Sequence, residues 1–486
     1  RGQGRCAPLV LVRLWFLVLA VPGRCGTPQS ALSLPPSPFA PHPSQMLISS
    51  LCSTRRPLAK ALFAVLTHAR LSQQVHSSVP VTELPPALEP ALAPFPGAGR
   101  PHERNTSHGD AAWTSTTFAD SSATPQRNMI LGHRPLLELA PVRNPARTVT
   151  VSSYNILSRH YLWESLYSYL PLEYTNWSQR FRRLNQSFRD LSELSDIMCF
   201  QEMEYQVYHD HWKAAMERLG YDSIFQTKPR PGYWKKSANM MDGVSVFYNR
   251  DKFDLLNYEQ INLADHFKHS SIIDQTADTQ TRLNVRNTVA VIVVLRHKAS
   301  GETLFVSNTH LYWSPKHDDV KLMQTYLLTS LVKHSIMRHY KMSFDEVDDM
   351  MRAKQGPNVV MVGDFNSSPT SMVYRFMSKG LVDKKQEVKF NQDYGMKFSH
   401  LINNGLGKFK SPYKDLYSKG LFTKTTYTPK FKSVIDYIWF ADCNNKYNFT
   451  KVLGDVDHSY LEHFKGFPNE DFPSDHIPIL AQIEFK

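Results

Sequence analysis

From Arg147 onward the sequence predicts an α/β domain, on three observations. Short runs rich in Val, Ile and aromatic residues recur along it. Amphipathic stretches of helical length lie between them. Several runs end in Glu, His, Asp or Asn.

The strand-like runs are justified in order. Thr148–Ile156 carries Val149-Thr150-Val151 and ends near Tyr154-Asn155. Asp196–Met203 carries Ile197-Met198-Cys199-Phe200 before Gln201-Glu202. Gly243–Asn249 and Thr288–Arg296 follow. Thr303–Leu311 contains Leu304-Phe305-Val306 and closes on Asn308-Thr309-His310. Asn358–Asp364 holds Val359-Val360-Met361-Val362 and runs into Gly363-Asp364-Phe365-Asn366. Val434–Phe440 contains Asp436. Ile477–Phe485 follows Ser474-Asp475-His476. The helix-like stretches are Ser178–Leu194, Val207–Leu219, Asp319–Arg338, Ser343–Arg352 and Ser371–Lys379. Asp318-Asp319 and Ser343 supply N-terminal signals for two of them. Periodicity leaves open whether the sheets are parallel or mixed. No internal repeat is apparent.

A chain of 486 residues suffices for one large domain or two smaller ones. Net charge is +12 but uneven. Residues 1–145 hold 13 Lys+Arg and 6 Asp+Glu, giving +7, and the rest hold 43 and 38, giving +5. The C-terminal part is only mildly basic, so charge alone does not announce a nucleic-acid binder. Cys6, Cys25, Cys52, Cys199 and Cys443 form no C-x-x-C pair. With an odd count, that argues against a disulfide framework and a structural zinc site, and Cys199 reads as a buried free thiol.

The chain divides near residue 145. No acid precedes Glu83, while eight Arg or Lys do. Two targeting readings compete for residues 1–75. Leu9–Val21 resembles the apolar region of a secretory signal. From Met46, a Ser-rich, Arg-bearing, acid-free segment matches a mitochondrial presequence. The third reading is an untargeted, cytoplasmic protein with a disordered tail. The sequon Asn366-Ser367-Ser368 weighs against secretion, since a glycan on Asn366 would destroy the site proposed below. Residues 76–145, rich in Pro, Ser, Thr and Ala, read as linker, and 146–486 as the catalytic domain. No 18-residue uncharged apolar run occurs, so no spanning helix is expected.

Strands that end in polar groups gather carboxylates, an amide and imidazoles at one rim. That set suits a hard divalent cation and a water to be activated. Glu202 after an apolar strand is solvated, capped or a ligand. Asp364 and Asn366 fall on one side of an extended chain at period two, unless they only make a turn. Asp475 beside His476 can bring a carboxylate and an imidazole to one centre, or form a polar loop. His310 reads equally as a satisfied buried histidine. Asp436 is hardest to explain structurally, because a buried carboxylate in an apolar strand needs a cation, a His or strong donors.

Together, Tyr154-Asn155, Gln201-Glu202, Asp242-Gly243, Asn308-Thr309-His310, Gly363-Asp364-Phe365-Asn366, Ile435-Asp436-Tyr437 and Ser474-Asp475-His476 resemble the endonuclease/exonuclease/phosphatase superfamily. Residues 148–486 carry the resemblance. Within that superfamily they look like the deadenylase branch with nocturnin, Angel and the yeast Ngl proteins. Tyr154–Ser158, Met240–Asn249 and Asn308–Trp313 are most like a fungal Ngl protein of the mitochondrial type. The N-terminal part shows no leucine-rich repeats.

The resemblance implies a four-layer α/β sandwich. It implies Glu202 as the main Mg²⁺ ligand (Mn²⁺ a possible substitute), with Asn155 nearby and Asp475 completing the metal side. Asp364 and Asn366 would orient the attacking water and bind the scissile phosphate. His476, supported by Asp436, would stabilise developing charge, and His310 would contact phosphate. Phe431 and Pro315 stand where deadenylases sandwich an adenine, with Ser433 where relatives commonly carry Gly. Tyr233-Trp234-Lys235-Lys236, basic and aromatic, is either a further strand contact or a surface loop.

The function expected is a Mg²⁺-dependent exonuclease acting on single-stranded RNA from a 3′ end, with poly(A) one candidate substrate. A phosphatase of the same fold, acting on RNA 2′,3′-cyclic phosphate ends or on a nucleotide or lipid phosphate, is the alternative. A non-catalytic RNA-binding protein has little need to keep Glu202, Asp364, Asn366, Asp436 and His476 together.

Overall fold

The computed structural model describes residues 128–383, 390–395 and 401–486. The expected targeting segment and most of the expected linker lie outside the described residues.

In chain order the strands are β1 (Leu136–Glu138), β2 (Thr148–Asn155), β3 (Ile197–Glu204), β4 (Tyr221–Thr227), β5 (Asp242–Asn249), β6 (Phe253–Asn262), β7 (Val289–His297), β8 (Thr303–His310) and β9 (Asn358–Asp364). There follow β10 (Leu381–Asp383), β11 (Leu401–Asn403), β12 (Phe409–Lys410), β13 (Thr426–Thr428), β14 (Phe431–Ser433), β15 (Asp436–Ala441), β16 (Tyr447–Leu453) and β17 (Ile479–Phe485).

Two large sheets result. A seven-stranded sheet has the order β1-β16-β17-β2-β3-β5-β4, and a six-stranded sheet the order β12-β15-β9-β8-β7-β6. Both are mixed: β2–β3 and β8–β9 pair in parallel, while their other pairings are antiparallel.

Period-two alternation explains the layering. Val149, Val151, Ile197, Cys199, Val244 and Val246 share one core with residues of the six-stranded sheet such as Val293, Val306 and Val360. The alternate residues Met198, Phe200 and Phe247 point the other way, onto Leu184, Phe188, Leu191 and Trp212. Those belong to the helix Trp177–Leu194 and to the helical stretch Tyr205–Arg218, which has a wider turn at Tyr208–Trp212. On the far side, the helices Asp318–Tyr340 and Met372–Lys379 add Met323, Leu327, Val373 and Phe376 to the main core. Helix, sheet, sheet, helix gives the four-layer sandwich.

A polar bolt crosses between the sheets. Gln201 Nε2 donates to Asn308 Oδ1 at 2.8 Å, and Asn308 Nδ2 donates to the carbonyls of Phe200 at 2.9 Å and Ser245 at 2.8 Å. All four residues are buried. In the core this network fixes one register of sheet upon sheet.

Three expectations change. Residues 128–145, read as linker, enter the fold: Leu136–Glu138 pairs with Lys451–Leu453, and Ile130 packs in the core beneath Leu184. Glu202 does not end its strand, because β3 continues to Glu204 with a bulge between Gln201 and Met203. Asp436 opens β15 instead of lying within it, because Thr425 Oγ1 accepts the N–H groups of Ile435 at 3.0 Å and Asp436 at 3.1 Å.

Candidate active site

Strand register lines up the first part of the site. Asp364 is the Cα partner of Asp436 on β15 and of His310 on β8. Three chemically useful residues therefore stand side by side at one rim of the six-stranded sheet. The strand ends at Asp364, whose Oδ1 accepts the N–H of Asn366 at 2.8 Å. Asn366 has φ 47° and sends its amide to the carbonyl of Leu311 at 3.0 Å. It does not share a face of extended chain with Asp364, as its period-two spacing suggested. It turns beside His310 through a local side-chain-to-backbone bond.

The rim of the seven-stranded sheet supplies the rest. Glu202 is the bulged residue of β3, with φ 60° in the left-handed region. That conformation costs a non-glycine residue about 1–3 kcal/mol, and such strain gathers at functional sites. Its Oε1 accepts from Asn155 Nδ2 at 3.0 Å, and its Oε2 from the backbone N–H of Ser158 at 2.9 Å. The same Asn155 Nδ2 donates to Asp364 Oδ2 at 3.1 Å. One amide thus ties the rims of both sheets together. Asn155 Oδ1 is held by Leu157 N at 3.0 Å.

The loop before β17 closes the crevice. Ser474 Oγ donates to the Asn155 carbonyl at 2.6 Å and accepts from the His476 N–H at 3.2 Å. His476 Nδ1 lies 2.8 Å from Asp436 Oδ2, and its Nε2 3.8 Å from Asp364 Oδ2. His310 Nε2 lies 3.5 Å from the same Asp364 oxygen, and His310 Nδ1 4.0 Å from Glu202 Oε1. Asp475 accepts from Tyr167 OH at 2.8 Å.

Burial sets the electrostatics. It pushes Glu202 up to about 7, helped by the charges of Asp242 and Asp475. It pushes Asp364 up to about 7 as well, helped by Asp436. Burial, then Lys228 and His476, hold His310 well below the ordinary histidine range, so it is neutral. Burial would also lower His476, but Asp436 overcomes it and holds the imidazole well above that range. The result is one neutral histidine and one imidazolium on either side of Asp364.

Two groups of atoms invite a cation. Asp364, Asp436 and His476 bring three ligand atoms within 4.8 Å of one another. The Nδ1 of His476 is taken by Asp436, however, and an imidazolium does not ligate metal. The carboxylates around Glu202 form the better set. They are hard oxygens, and burial, helped by the charges of Asp242 and Asp475, disfavours the bare Glu202 carboxylate. Asp436 Oδ1 and His310 Nδ1 are buried without hydrogen-bond partners, so both remain free for another ligand.

The structure therefore brings together Asn155, Glu202, His310, Asp364, Asn366, Asp436 and His476, with Asp475 beside them. Phe431 is 51% exposed and opens β14 of a hairpin whose Thr426 bridges His476. Pro315 is exposed on the loop that follows His310 and Leu311. Sequence reasoning missed the residues that position these groups. Arg180 is buried and donates to the carbonyls of Pro473, Ile156 and Leu157, clamping the loop after β2 to the loop before β17. Its signal was present: a charge four residues before Leu184, on the apolar helix face. Asp242 is gripped by Tyr161 OH at 2.8 Å and Lys228 Nζ at 2.6 Å. Lys228 follows a polar edge strand and carried no signal.

Comparison with known proteins agrees with this geometry. Residues 152–476 match the Endonuclease/Exonuclease/phosphatase family. The RNA exonuclease NGL1 of Saccharomyces cerevisiae is 33% identical over 367 residues, covering 71% of this chain and 94% of that protein. The CCR4-Not complex 3′-5′-exoribonuclease subunit Ccr4 of the same yeast is 34% identical over 344 residues, 70% of this chain. This chain spans 39% of the length of that subunit. Among solved structures, ANGEL2, a 2′,3′-cyclic phosphatase in complex with adenosine-2′,3′-vanadate, has a TM-score of 0.54 at 22% identity, covering 72% of this chain and 98% of that one. It shares the fold. The chain belongs to the endonuclease/exonuclease/phosphatase family.

Proposed function

We propose that the protein is a Mg²⁺-dependent exonuclease that shortens single-stranded RNA from its 3′ end. One observation carries this reading. Glu202, Asp364 and the Asp436–His476 pair converge in a single crevice, on a chain 33% identical to an RNA exonuclease over 94% of that protein. Glu202, with Asp475 and Asn155 beside it, would hold the cation. When bound, Mg²⁺ would neutralise charge on the phosphate and activate water.

This chain's own residues then divide the work. Asp364, near 7, is a base poised for neutral pH and takes the proton of the attacking water. Its bond to the Asn366 N–H and the amide of Asn155 hold it in place. The imidazolium of His476 turns Nε2–H toward the phosphoryl oxygen on which charge builds. Neutral His310 receives the phosphate on the other side. The P–O bond to the retained strand's 3′ oxygen breaks, and that oxygen takes up a proton. Phe431, exposed on the hairpin that bridges His476, offers a flat face to the terminal base, with Pro315 as its counterpart. Stacking there contributes about 1–3 kcal/mol and favours a purine, poly(A) being the obvious case. The acid-free, Ser- and Arg-bearing segment from Met46 supports mitochondrial delivery, which fractionation of the tagged full chain would test.

The assay is purified protein with Mg²⁺ and 5′-labelled oligo(A), mixed RNA, single-stranded DNA and cyclic-phosphate-ended RNA. A 3′-shortening ladder on RNA is the expected result. Removal of the terminal phosphate alone would replace this reading with that of a phosphatase.

A further inference from the structure

Between β4 and β5, residues 228–241 hold four Lys or Arg and no Asp or Glu. Lys228 is spent on Asp242. Arg230, Lys235 and Lys236 are exposed, and among the described residues none pairs with a carboxylate. Tyr233, between them, is 75% exposed. A second exposed aromatic, Trp163 at 52%, packs edge-on against Tyr161 with ring centroids 6.5 Å apart. Glu164, next to Trp163, is the single acid between residues 159 and 167.

The loop is held firmly. Pro229 and Pro231 restrict its backbone. Trp234 N donates to the Pro231 carbonyl at 2.9 Å, and Trp234 Nε1 to that of Ser237 at 3.2 Å. The Trp234 ring packs edge-on against His160 at 5.1 Å. Trp234 thus anchors the loop, while Tyr233 faces solvent.

The same groups reach the crevice. Tyr161 and Lys228 both grip Asp242, and Ser158 N–H holds Glu202. The Tyr233 loop and Trp163 therefore form a lip on the Glu202 side. Phe431, with Lys430 and Lys432, forms a lip on the His476 side. An ordinary solvated loop has no use for exposed aromatics alternating with unpaired cations. A single strand of nucleic acid does, because every base has a face to stack and every phosphate a charge.

We infer that the Tyr233 loop and Trp163 bind the retained, 5′ portion of a single-stranded RNA. Tyr233 and Trp163 stack its bases, and Arg230, Lys235 and Lys236 hold its phosphates without reading sequence. This rests on the exonuclease reading, in which Phe431 takes the terminal base and the retained strand leaves across the opposite lip.

The test compares wild type with Tyr233→Ala and with Lys235→Ala/Lys236→Ala, each checked for an unchanged melting temperature. Binding of a fluorescein-labelled ten-nucleotide RNA is followed by anisotropy in EDTA across a salt series. Tyr233→Ala is expected to weaken binding about tenfold. The double lysine variant should flatten the log–log salt slope by about 1.4, or about 0.7 for each phosphate no longer neutralised. With Mg²⁺, kcat/KM should fall at least about tenfold more for the ten-nucleotide RNA than for a dinucleotide. Unchanged affinity and slope in both variants, equal losses on both substrates, or a wild type that binds no RNA would each overturn the assignment. A wild type that binds RNA but releases no nucleotide defeats the exonuclease reading alone, and the binding data still decide the platform.

Discussion

His476 Nδ1 lies 2.8 Å from Asp436 Oδ2, and both side chains are buried. A carboxylate can only accept, so Nδ1 carries the proton and Nε2 is directed into the crevice. Burial alone would strip His476 of its charge; Asp436 prevents this.

Asp436→Asn removes that charge and keeps the shape. Burial then dominates, and the His476 pKa falls. We expect kcat to fall about 10²–10⁴-fold. The alkaline limb of the pH–rate profile should move to lower pH, because the imidazolium is now lost earlier. A variant with reduced kcat but an unmoved alkaline limb would show that Asp436 acts on something other than His476.

Glu202 and Asp364 both rise to about 7, from ordinary values of 4.5 and 3.8. A carboxyl raised on folding favours the fold while protonated. That contribution is full below about pH 4 and is lost as pH rises through 7. Without added metal, the melting temperature should therefore drop between about pH 4 and pH 7 and level off above. Mg²⁺ needs the ionised carboxylate, so its affinity should rise over the same interval and its binding should release protons. Calorimetry in two buffers of different ionisation enthalpy measures this. Buffer-independent heat at about pH 6.5 would remove Glu202 from the metal side.

The sequence announced the site more clearly than the sheets around it. β2, β3, β7, β8 and β9 are buried throughout almost their whole length, so their apolar runs stand out. β1, β4 and β6 form sheet edges; β1 is only three residues long, and the polar residues mixed into β4 and β6 blur the period. Tyr221-Asp222-Ser223-Ile224-Phe225-Gln226-Thr227 looks like a loop until β5 pairs with it. The bulge at Glu202 was invisible for a different reason. Nothing in Gln201-Glu202-Met203 calls for a left-handed residue; the pairing of Gln201 and Met203 with β5 and the hydrogen bonds from Asn155 and Ser158 place it there. Arg180 left a local trace, a charge on the apolar helix face, but its partners are backbone carbonyls of two other segments, which that trace does not name.

Asn308 joins the two sheets through one acceptor and two donor bonds, to Gln201, Phe200 and Ser245. Asn308→Ala would take the side-chain donor from two backbone carbonyls in a dry core, while the Gln201 amide keeps Ser153 Oγ and the Cys199 carbonyl. Each orphaned group costs about 1–3 kcal/mol, so a loss of roughly 3–5 kcal/mol in stability is expected from chemical unfolding. Activity per folded molecule should fall too, because Glu202 follows Gln201 directly. A loss below about 1 kcal/mol would mean that water replaces the bolt.

Gly363 precedes Asp364 with φ 142°, and a Cβ there would stand 2.0 Å from the carbonyl oxygen of Thr309. The obstacle is backbone, on the adjacent parallel strand, so it cannot swing aside. Gly363→Ala must push β8 and β9 apart where they carry His310 and Asp364. The shift needed is about 1 Å, and misplacements of that size cost about 10²-fold in rate. We expect kcat to fall by at least that factor, together with about 2–4 kcal/mol of stability. Gly220→Ala, also at positive φ with a Cβ in open space, should lose about 1 kcal/mol and keep its rate. If the two variants behaved alike, the close approach of Gly363 to Thr309 would have no part in setting the distance between His310 and Asp364.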